Sequence, residues 1–312
     1  MAQVKYDIGL FFEECKGDIE RAINEMIKDK VILSQLSGGK RLRPIISLLA
    51  FKACTGGKES LEEYKKAVEG TVSIELAHTA SLIHDDIIDK DVVRRGKLAL
   101  HVQEGVSTAL LVGHKMLALG FKIALKHGSE FARLYVDTWN EALAGELMEV
   151  EFNKRNPSSE DLFSIYMTII DKKTASLFSS ACRAGALQAK ANGEIADLLA
   201  EYGREVGRAY QFADDLVDLK NGEMLRSVIL PLIEKITGKK IGKMRKNSIE
   251  KKLKEKEEEI KEFYLAKIRE KVKKAEELIR NSTLPESIYR EMLTYAPRYI
   301  INRMLESVGM VI

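Results

Sequence analysis

The sequence predicts an all-α protein, and three observations predict it. Only five prolines interrupt 312 residues. Apolar residues recur at spacings of three and four, which is the period of one helix face. No segment alternates strictly enough to demand a strand.

Taken in order, helical segments are expected near 5–30, 40–55, 60–88, 104–127, 129–153, 159–190, 193–220, 223–237, 248–280 and 286–307. The first gap holds Ser37-Gly38-Gly39, and Thr55-Gly56-Gly57 closes the second segment. The third carries the apolar run SIELAHTASLI and ends in acids, and the fourth reads STALLVGHKMLALGFKIAL. Asn156-Pro157-Ser158-Ser159 ends the fifth. Ser158 and Ser159 before Glu160 and Asp161 also read as a helix start, with acids where the dipole favours them. Asn192-Gly193, Asn221-Gly222 and Asn281-Ser282 mark the later breaks. From Lys239 to about Asn281 the chain is dense in Lys and Glu. Ile260, Leu265, Ile268 and Val272 form a narrow apolar stripe there, so this stretch reads as a solvated helix packed on one side. With no fixed repeat and no long linker, residues 1–312 read as a single domain.

Charge and cysteines narrow the function. Lys+Arg (50) and Asp+Glu (47) leave a net charge of +3, without the clustered positive field that nucleic-acid binding requires. Cys15, Cys54 and Cys182 show no zinc-site or disulfide spacing, which fits a reducing cytoplasm. The N-terminal MAQVKYDIGLFFEECK lacks the basic-then-apolar order of a secretory signal. Apolar stretches are broken by charge or Gly short of the roughly 20 residues that span a bilayer, so no transmembrane segment is expected.

The local signal that carries chemistry is His84-Asp85-Asp86-Ile87-Ile88-Asp89, which closes an apolar helical run. Asp85 and Asp89 lie one turn apart on one face, with Asp86 beside them. The spacing recurs at Asp214-Asp215-Leu216-Val217-Asp218, again within an apolar run, GRAYQFADDLVDL. One copy is a weak signal that a charged surface produces by chance. Two copies on facing helices would make a cage of hard oxygen ligands suited to Mg²⁺, which takes a few carboxylates together with substrate phosphates and water. Cations for those phosphates follow: Gly38-Gly39-Lys40-Arg41-Leu42-Arg43-Pro44 where a helix begins, Arg94-Arg95-Gly96 just after the first acids, and Lys172-Lys173-Thr174 between the two sets. Each alone is more often surface charge. With paired Mg²⁺ sites they point to a diphosphate substrate.

The blocks GGKRLRP, ELAHTASLIHDDIID, RRGKLALH, KKTASLF and YQFADDLVD, in that order from about Ser37 to Leu219, resemble the trans-isoprenyl diphosphate synthases, or polyprenyl synthetases. The second aspartate motif makes the chain similar to a chain-elongating, geranylgeranyl diphosphate synthase-like member rather than to a terpene cyclase. The resemblance implies a bundle of roughly ten helices around a deep central cavity. It implies that Asp85, Asp86, Asp89, Asp214, Asp215 and Asp218 hold Mg²⁺ on the diphosphate of an allylic substrate, assisted by Arg94, Lys173 and Gln211. Lys40, Arg43, His78 and Arg95 would bind the diphosphate of isopentenyl diphosphate, and Thr174 would lie near the forming carbocation. Members are usually homodimers, and segment 104–127 is a candidate interface, although its apolar residues equally suit a core. His101, His114 and His127 read as structural or surface residues, and His84 as a residue that orients the first motif.

On the helix entering that motif, Ser81, Ala80, Ala77 and Ile74 would line the tunnel that receives the growing chain, each turn deepening it by about 5.4 Å. No aromatic side chain stops elongation at the first level, which predicts a product of about twenty carbons or more; the competing plugs are Met116, Phe121 and Phe152. The chain also departs from the family. His114-Lys115 follows Gly113 where Asp is usual, and Gly145-Glu146 with Glu149 stand where Gly-Gln and a later Asp are usual. The stretch after the second motif is shortened to DLKNGEMLRSVILPL, with Lys220 as the candidate replacement lysine. These departures keep open a second reading, a regulatory subunit of a heteromeric synthase, although such a subunit has no physical need for six clustered carboxylates.

Overall fold

The computed structural model describes residues 2–155, 162–221 and 255–312. Within them the chain forms α1 (Ala2–Met26), α2 (Lys30–Leu36), α3 (Leu42–Thr55), α4 (Leu61–Asp89), β1 (Val93–Arg94), β2 (Lys97–Leu98), α5 (Leu100–Glu104), α6 (Val106–Lys126), α7 (Ser129–Arg155) and α8 (Leu162–Ile170). A π-helical turn (Asp171–Ala175) leads into α9 (Ser176–Gln188), followed by α10 (Gly193–Asn221), α11 (Glu257–Arg280) and α12 (Ile288–Leu305), with a 3₁₀ turn at Glu306–Val308. The all-α expectation holds for these residues. The expected segment 223–237, the helix start at Ser158 and Ser159, and the Lys/Glu-rich stretch up to residue 254 lie outside the described residues, as does the shortened stretch from Gly222 onward.

Two elements differ from expectation for local reasons. The segment expected near 5–30 breaks after Met26, because the Asp29 carboxylate caps a new helix by accepting from the amides of Val31 and Ile32. A short antiparallel hairpin pairs Val93 with Leu98 and Arg94 with Lys97. Its two-residue strands are too short to alternate visibly. Arg95 (φ 52) and Gly96 (φ 74) both adopt the left-handed region, as a two-residue turn matching the strand twist requires.

The residues group into two compact units, with four of the five boundaries falling inside α7, α9, α10 and α12. The first comprises Met1–Trp139, Ser180–Ala200 and Thr283–Leu293. Its centre is α4, packed on α3 and along α6, with Ile46, Leu49, Phe51, Val72, Leu76 and Ala80 buried. A capping box starts α4. Ser60 Oγ accepts from the Glu63 amide at 3.2 Å while Glu63 Oε2 accepts from the Ser60 amide at 2.8 Å, satisfying two orphan donors. Close packing of α9 on α3 needs Gly185, where a Cβ would lie 2.2 Å from the Ser47 carbonyl oxygen.

The second unit comprises Asn140–Ser179, Glu201–Ser282 and Thr294–Ile312. Its core joins Tyr166, Ile169 and Ile170 of α8 to Phe212 and Leu216 of α10, Tyr264 of α11, and Ile301 and Leu305 of α12. The stripe expected on α11 faces this core, since Ile260, Leu265, Ile268 and Val272 are all buried. The Lys267–Glu270 and Lys261–Glu258 pairs lie on its wet side.

One helix bears on the expectation that no segment is apolar enough to span a bilayer. By length and composition α6, with 21 residues, is long and apolar enough to cross a bilayer on average. The charges at Lys115 and Lys122 are too few to lower that average. One face, with Met116, Ile123 and Ala124, packs inward in the first unit, and only 33% of its most apolar stretch is buried. The three cysteines are free thiols, and Cys15 and Cys182 are buried.

Candidate active site

Asp85, Asp86 and Asp89 occupy the last turn of α4, which Lys90 closes in the left-handed conformation with its amide bonded to the Asp86 carbonyl. Carboxylates at a helix C-terminus face the negative end of the dipole, so this triplet is unfavourable until cations meet it. Arg94 supplies one. Its Nε donates to Asp86 Oδ1 at 2.6 Å, and a terminal nitrogen donates to Asp91 Oδ2 at 2.9 Å. Asp86 is buried, and desolvation raises its pKa against the pull of Arg94. Asp85 is half-buried and Asp89 exposed. Arg94 follows within four residues of the left-handed Lys90 that ends α4, on the first strand of the hairpin, and so lies close to the acids.

All four cations and donors expected for a second diphosphate belong to this first unit. An Arg43 guanidinium nitrogen lies 3.1 Å from His78 Nε2. Arg95 reaches Gln35 and Ser37 carbonyls at 3.3 and 3.5 Å and Glu75 Oε1 at 3.9 Å. Burial first, then the positive charges of Arg43, Arg95, Arg41 and Arg94, hold the His78 pKa well below its ordinary 6.5. The arginines around it make the local field positive, the kind that suits an anion. Lys40 is exposed at the start of this loop.

Sequence reasoning missed the pair that organises these cations. Arg41, buried and in the left-handed conformation (φ 56), donates to Glu75 Oε1 at 2.5 Å, to Glu20 Oε1 at 2.9 Å and to the Leu36 carbonyl. Glu75 is fully buried, and desolvation raises its pKa even against Arg41 and Arg95. A Cβ on Gly39 would sit 2.3 Å from an Arg41 nitrogen, so any larger residue there would have to displace the Arg41 guanidinium. The signal was present: a carboxylate inside SIELAHTASLI, three residues before His78, has to find a buried cation.

In the second unit, Asp214, Asp215 and Asp218 lie near the end of α10. Asp215 is buried, accepts from the Tyr166 hydroxyl and from Gln211 Nε2 at 2.8 Å, and has its pKa raised to about 7, chiefly by desolvation. Gln211 Oε1 in turn accepts from Thr174 Oγ1 at 2.7 Å. Thr174, Gln211 and Asp215 are therefore brought together. Lys173 Nζ contacts Glu149 Oε2 at 2.9 Å and Glu146 Oε2 at 2.5 Å, the two acids at which the chain departs from the family's usual residues. Tyr166 was not foreseen, because its hydroxyl meets Asp215 only once α8 packs on α10. Lys220 pairs with Glu257 Oε1 of α11 at 2.5 Å.

The donor set of each triplet is all carboxylate oxygen, the class that fits Mg²⁺ or Ca²⁺ rather than a soft metal. Among the described residues no three acid, His or Cys side chains converge on one point, since Asp86 turns to Arg94 and Asp215 to Tyr166 and Gln211.

Of the positions named for chain length, Ala80 is fully buried, Ile74 packs against Ala124, Phe131, Ala132 and Ala184, and Ala77 is half-buried. Ser81 donates its hydroxyl to the His78 carbonyl at 2.7 Å. Met116 is buried, Phe121 lies exposed with its ring 6.2 Å from that of Tyr135, and Phe152 is half-buried. His84 sits with His114 and Trp139 at ring distances of 5.3 and 6.3 Å, with Gly113 leaving room for its imidazole.

Residues 24–281 match the polyprenyl synthetase family. A geranylgeranyl diphosphate synthase of Methanosarcina mazei is 35% identical over 189 residues, which cover 59% of this chain and 56% of that protein. The chain thus spans little more than half the length of that relative. A geranylgeranyl diphosphate synthase of Sulfolobus acidocaldarius is 32% identical over 232 residues, 68% of each. The polyprenyl synthase of Caulobacter crescentus CB15, solved in complex with calcium and isoprenyl diphosphate, superposes with a TM-score of 0.75 at 23% identity, covering 94% of this chain and 97% of that one. The last similarity establishes the all-α isoprenoid synthase fold. The chain belongs to the polyprenyl synthetase family.

Proposed function

We propose, on the premise of that membership, that the protein is a trans-prenyltransferase which condenses isopentenyl diphosphate with allylic diphosphates to an all-trans product of about twenty carbons or more. The observation that carries this reading is the repeated carboxylate triplet, each copy ending an apolar helix where only cations offset its charge.

Asp85, Asp86, Asp89, Asp214, Asp215 and Asp218 would hold Mg²⁺. The ion's contribution is Lewis-acid neutralisation of the diphosphate leaving group. Arg94, Lys173 and Gln211 would add hydrogen bonds to the same diphosphate, which strengthen as its carbon–oxygen bond breaks and negative charge builds on oxygen. Thr174, half-occupied by Gln211, presents its lone pairs near the allylic carbocation. Lys40, Arg43, His78 and Arg95 would grip the diphosphate of isopentenyl diphosphate, with neutral His78 donating or accepting one hydrogen bond rather than supplying charge. The double bond then attacks the cation, and the proton lost passes to the departing diphosphate, so no side-chain nucleophile is needed. The acids Glu146 and Glu149 beside Lys173 are its counter-ions until substrate displaces them.

The test is turnover with Mg²⁺, labelled isopentenyl diphosphate and allylic primers of increasing length. Asp85→Ala and Asp214→Ala should each lower turnover by about two orders of magnitude or more while the helical signal stays intact. Retention of the fold is expected because removing an acid near a helix C-terminus relieves the dipole. Near-normal turnover in either variant would falsify the metal-ligand assignment. A folded wild-type protein that incorporates nothing with any primer would instead support the regulatory-subunit reading.

A further inference from the structure

The five residues Asp171–Ala175 form a π-helical turn, in which the Ser176 amide reaches back to the Asp171 carbonyl. Such turns are rare because each widens the helix by one residue, and they persist only where the surroundings hold them. Here two glycines admit the turn. A Cβ on Gly145 of α7 would lie 2.8 Å from the Lys173 amide nitrogen, and one on Gly207 of α10 would lie 2.6 Å from the Ala175 Cα. Neither approach is possible for a larger residue without moving backbone.

The turn is also pinned along one stripe of α10. Arg208 Nε donates to Asp171 Oδ1 at 2.5 Å and a terminal nitrogen donates to Oδ2 at 2.8 Å, a two-pronged contact that fixes direction as well as distance. The third nitrogen donates at 2.6 Å to Glu205, a fully buried carboxylate that also accepts from Lys274 of α11 at 2.7 Å. One and two turns further along, Gln211 holds Thr174 and then Asp215. Positions 204, 208, 211 and 215 recur at four, three and four, so they share a face. Arg204 adds a contact to the Asp171 carbonyl at 3.5 Å.

We propose that Asp171 and Arg208 are a positioning pair that keeps this turn in its wide register and thereby sets Thr174 against Gln211 and Lys173 against Glu146 and Glu149. Relaxing the turn to ordinary α-helix would shift the register by one residue, a rotation of about 100°. Thr174 would then turn away from Gln211, and Lys173 from Glu146 and Glu149. This inference rests on the proposed function for its catalytic consequence, though the clamp itself does not.

The experiment uses the full chain with Asp171→Asn, Arg208→Gln and the double exchange Asp171→Arg with Arg208→Asp. Two quantities are read: KM for each substrate separately, and backbone hydrogen exchange at residues 171–176. Each single variant should raise KM for the allylic diphosphate about tenfold and speed exchange in the turn by a similar factor, with KM for isopentenyl diphosphate changed less than about twofold. The double exchange should restore both. Unchanged exchange in the single variants overturns the clamp. So does a parallel loss in both KM values, kcat and melting temperature, which marks a merely structural pair. If wild type condenses nothing, the proposed function fails while the exchange arm still decides whether Asp171 and Arg208 hold the turn.

Discussion

His78 shows what a single residue's surroundings do to its chemistry. Buried beneath Arg43 and beside Arg41, Arg94 and Arg95, it stays neutral in the fold well below pH 6.5, whereas in the unfolded chain it takes a proton near that value. The unfolded state therefore binds more protons as pH falls through 6.5, and folding stability declines, by at most about 1.4 kcal/mol per pH unit for one site. Burial likewise lowers His84 and His127, so three groups pull in this direction. Asp86, Glu75 and Asp215 oppose them. Their raised pKa values mean the folded state holds extra protons above the ordinary carboxylate range, which favours folding as pH falls toward it, and for Asp215 from about 7. The expected outcome for His78→Gln is a shallower loss of stability between pH 6.5 and 5, worth up to about 2 kcal/mol at the lower end, measured by urea unfolding at each pH. An unchanged slope would mean that His78 titrates in the fold as it does in the open chain. The residues themselves were legible as a motif, but the neutrality of His78 was not, because it depends first on burial and then on the guanidinium groups of Arg43, Arg95, Arg41 and Arg94, which only the fold gathers around it.

At the scale of elements, α4 does three jobs along one length. It begins with a capping box, it packs its middle against α3 and α6, and it ends in the first carboxylate triplet. Ala80 lies on the buried side one turn and a residue before Asp85. Ala80→Phe should shorten the product by blocking the growing chain, read by sizing the products made from a ten-carbon primer. Because Ala80 is fully buried, the added ring should also lower stability by roughly 1–3 kcal/mol, so the melting temperature has to be followed alongside. An unaltered product distribution from a folded variant places the floor of the tunnel on another element. What could be seen in the sequence follows from range. The long helices declare themselves through a three-and-four pattern that their own residues complete, and both triplets through spacing alone. The break before Lys30 depends on one side-chain cap, and the hairpin is shorter than one period of alternation. Gly145, Gly207 and Arg208 meet the π turn at Asp171 from elsewhere in the chain, so no local pattern announces it.

At the scale of the whole molecule, α6 carries an unusual outward face. Leu111 and Leu125 are 68% and 54% exposed, and Leu110 and Phe121 lie open beside them. Leu111, exposed Ala118 and Leu125 recur every seventh residue, so the row runs straight down one side with a small residue at its midpoint. The sequence left α6 divided between core and interface, since an apolar composition suits both. Its inward positions, Met116, Ile123 and Ala124, satisfy the core and leave this second row unexplained by it. A row of that kind fits self-association, in which each fully covered leucine contributes about 1.5–3 kcal/mol. A net charge of only +3 raises little repulsion between copies. The homodimer proposed for this family member should therefore give a dimeric mass by light scattering. Leu111→Lys with Leu125→Lys should convert it to monomer, because an unpaired ammonium in a closing apolar contact costs more than the leucine returned. Retained helical signal with a halved mass would establish the face. A wild-type monomer at micromolar concentration, or a double variant that stays dimeric, would remove α6 from the interface and leave its leucines to some other surface.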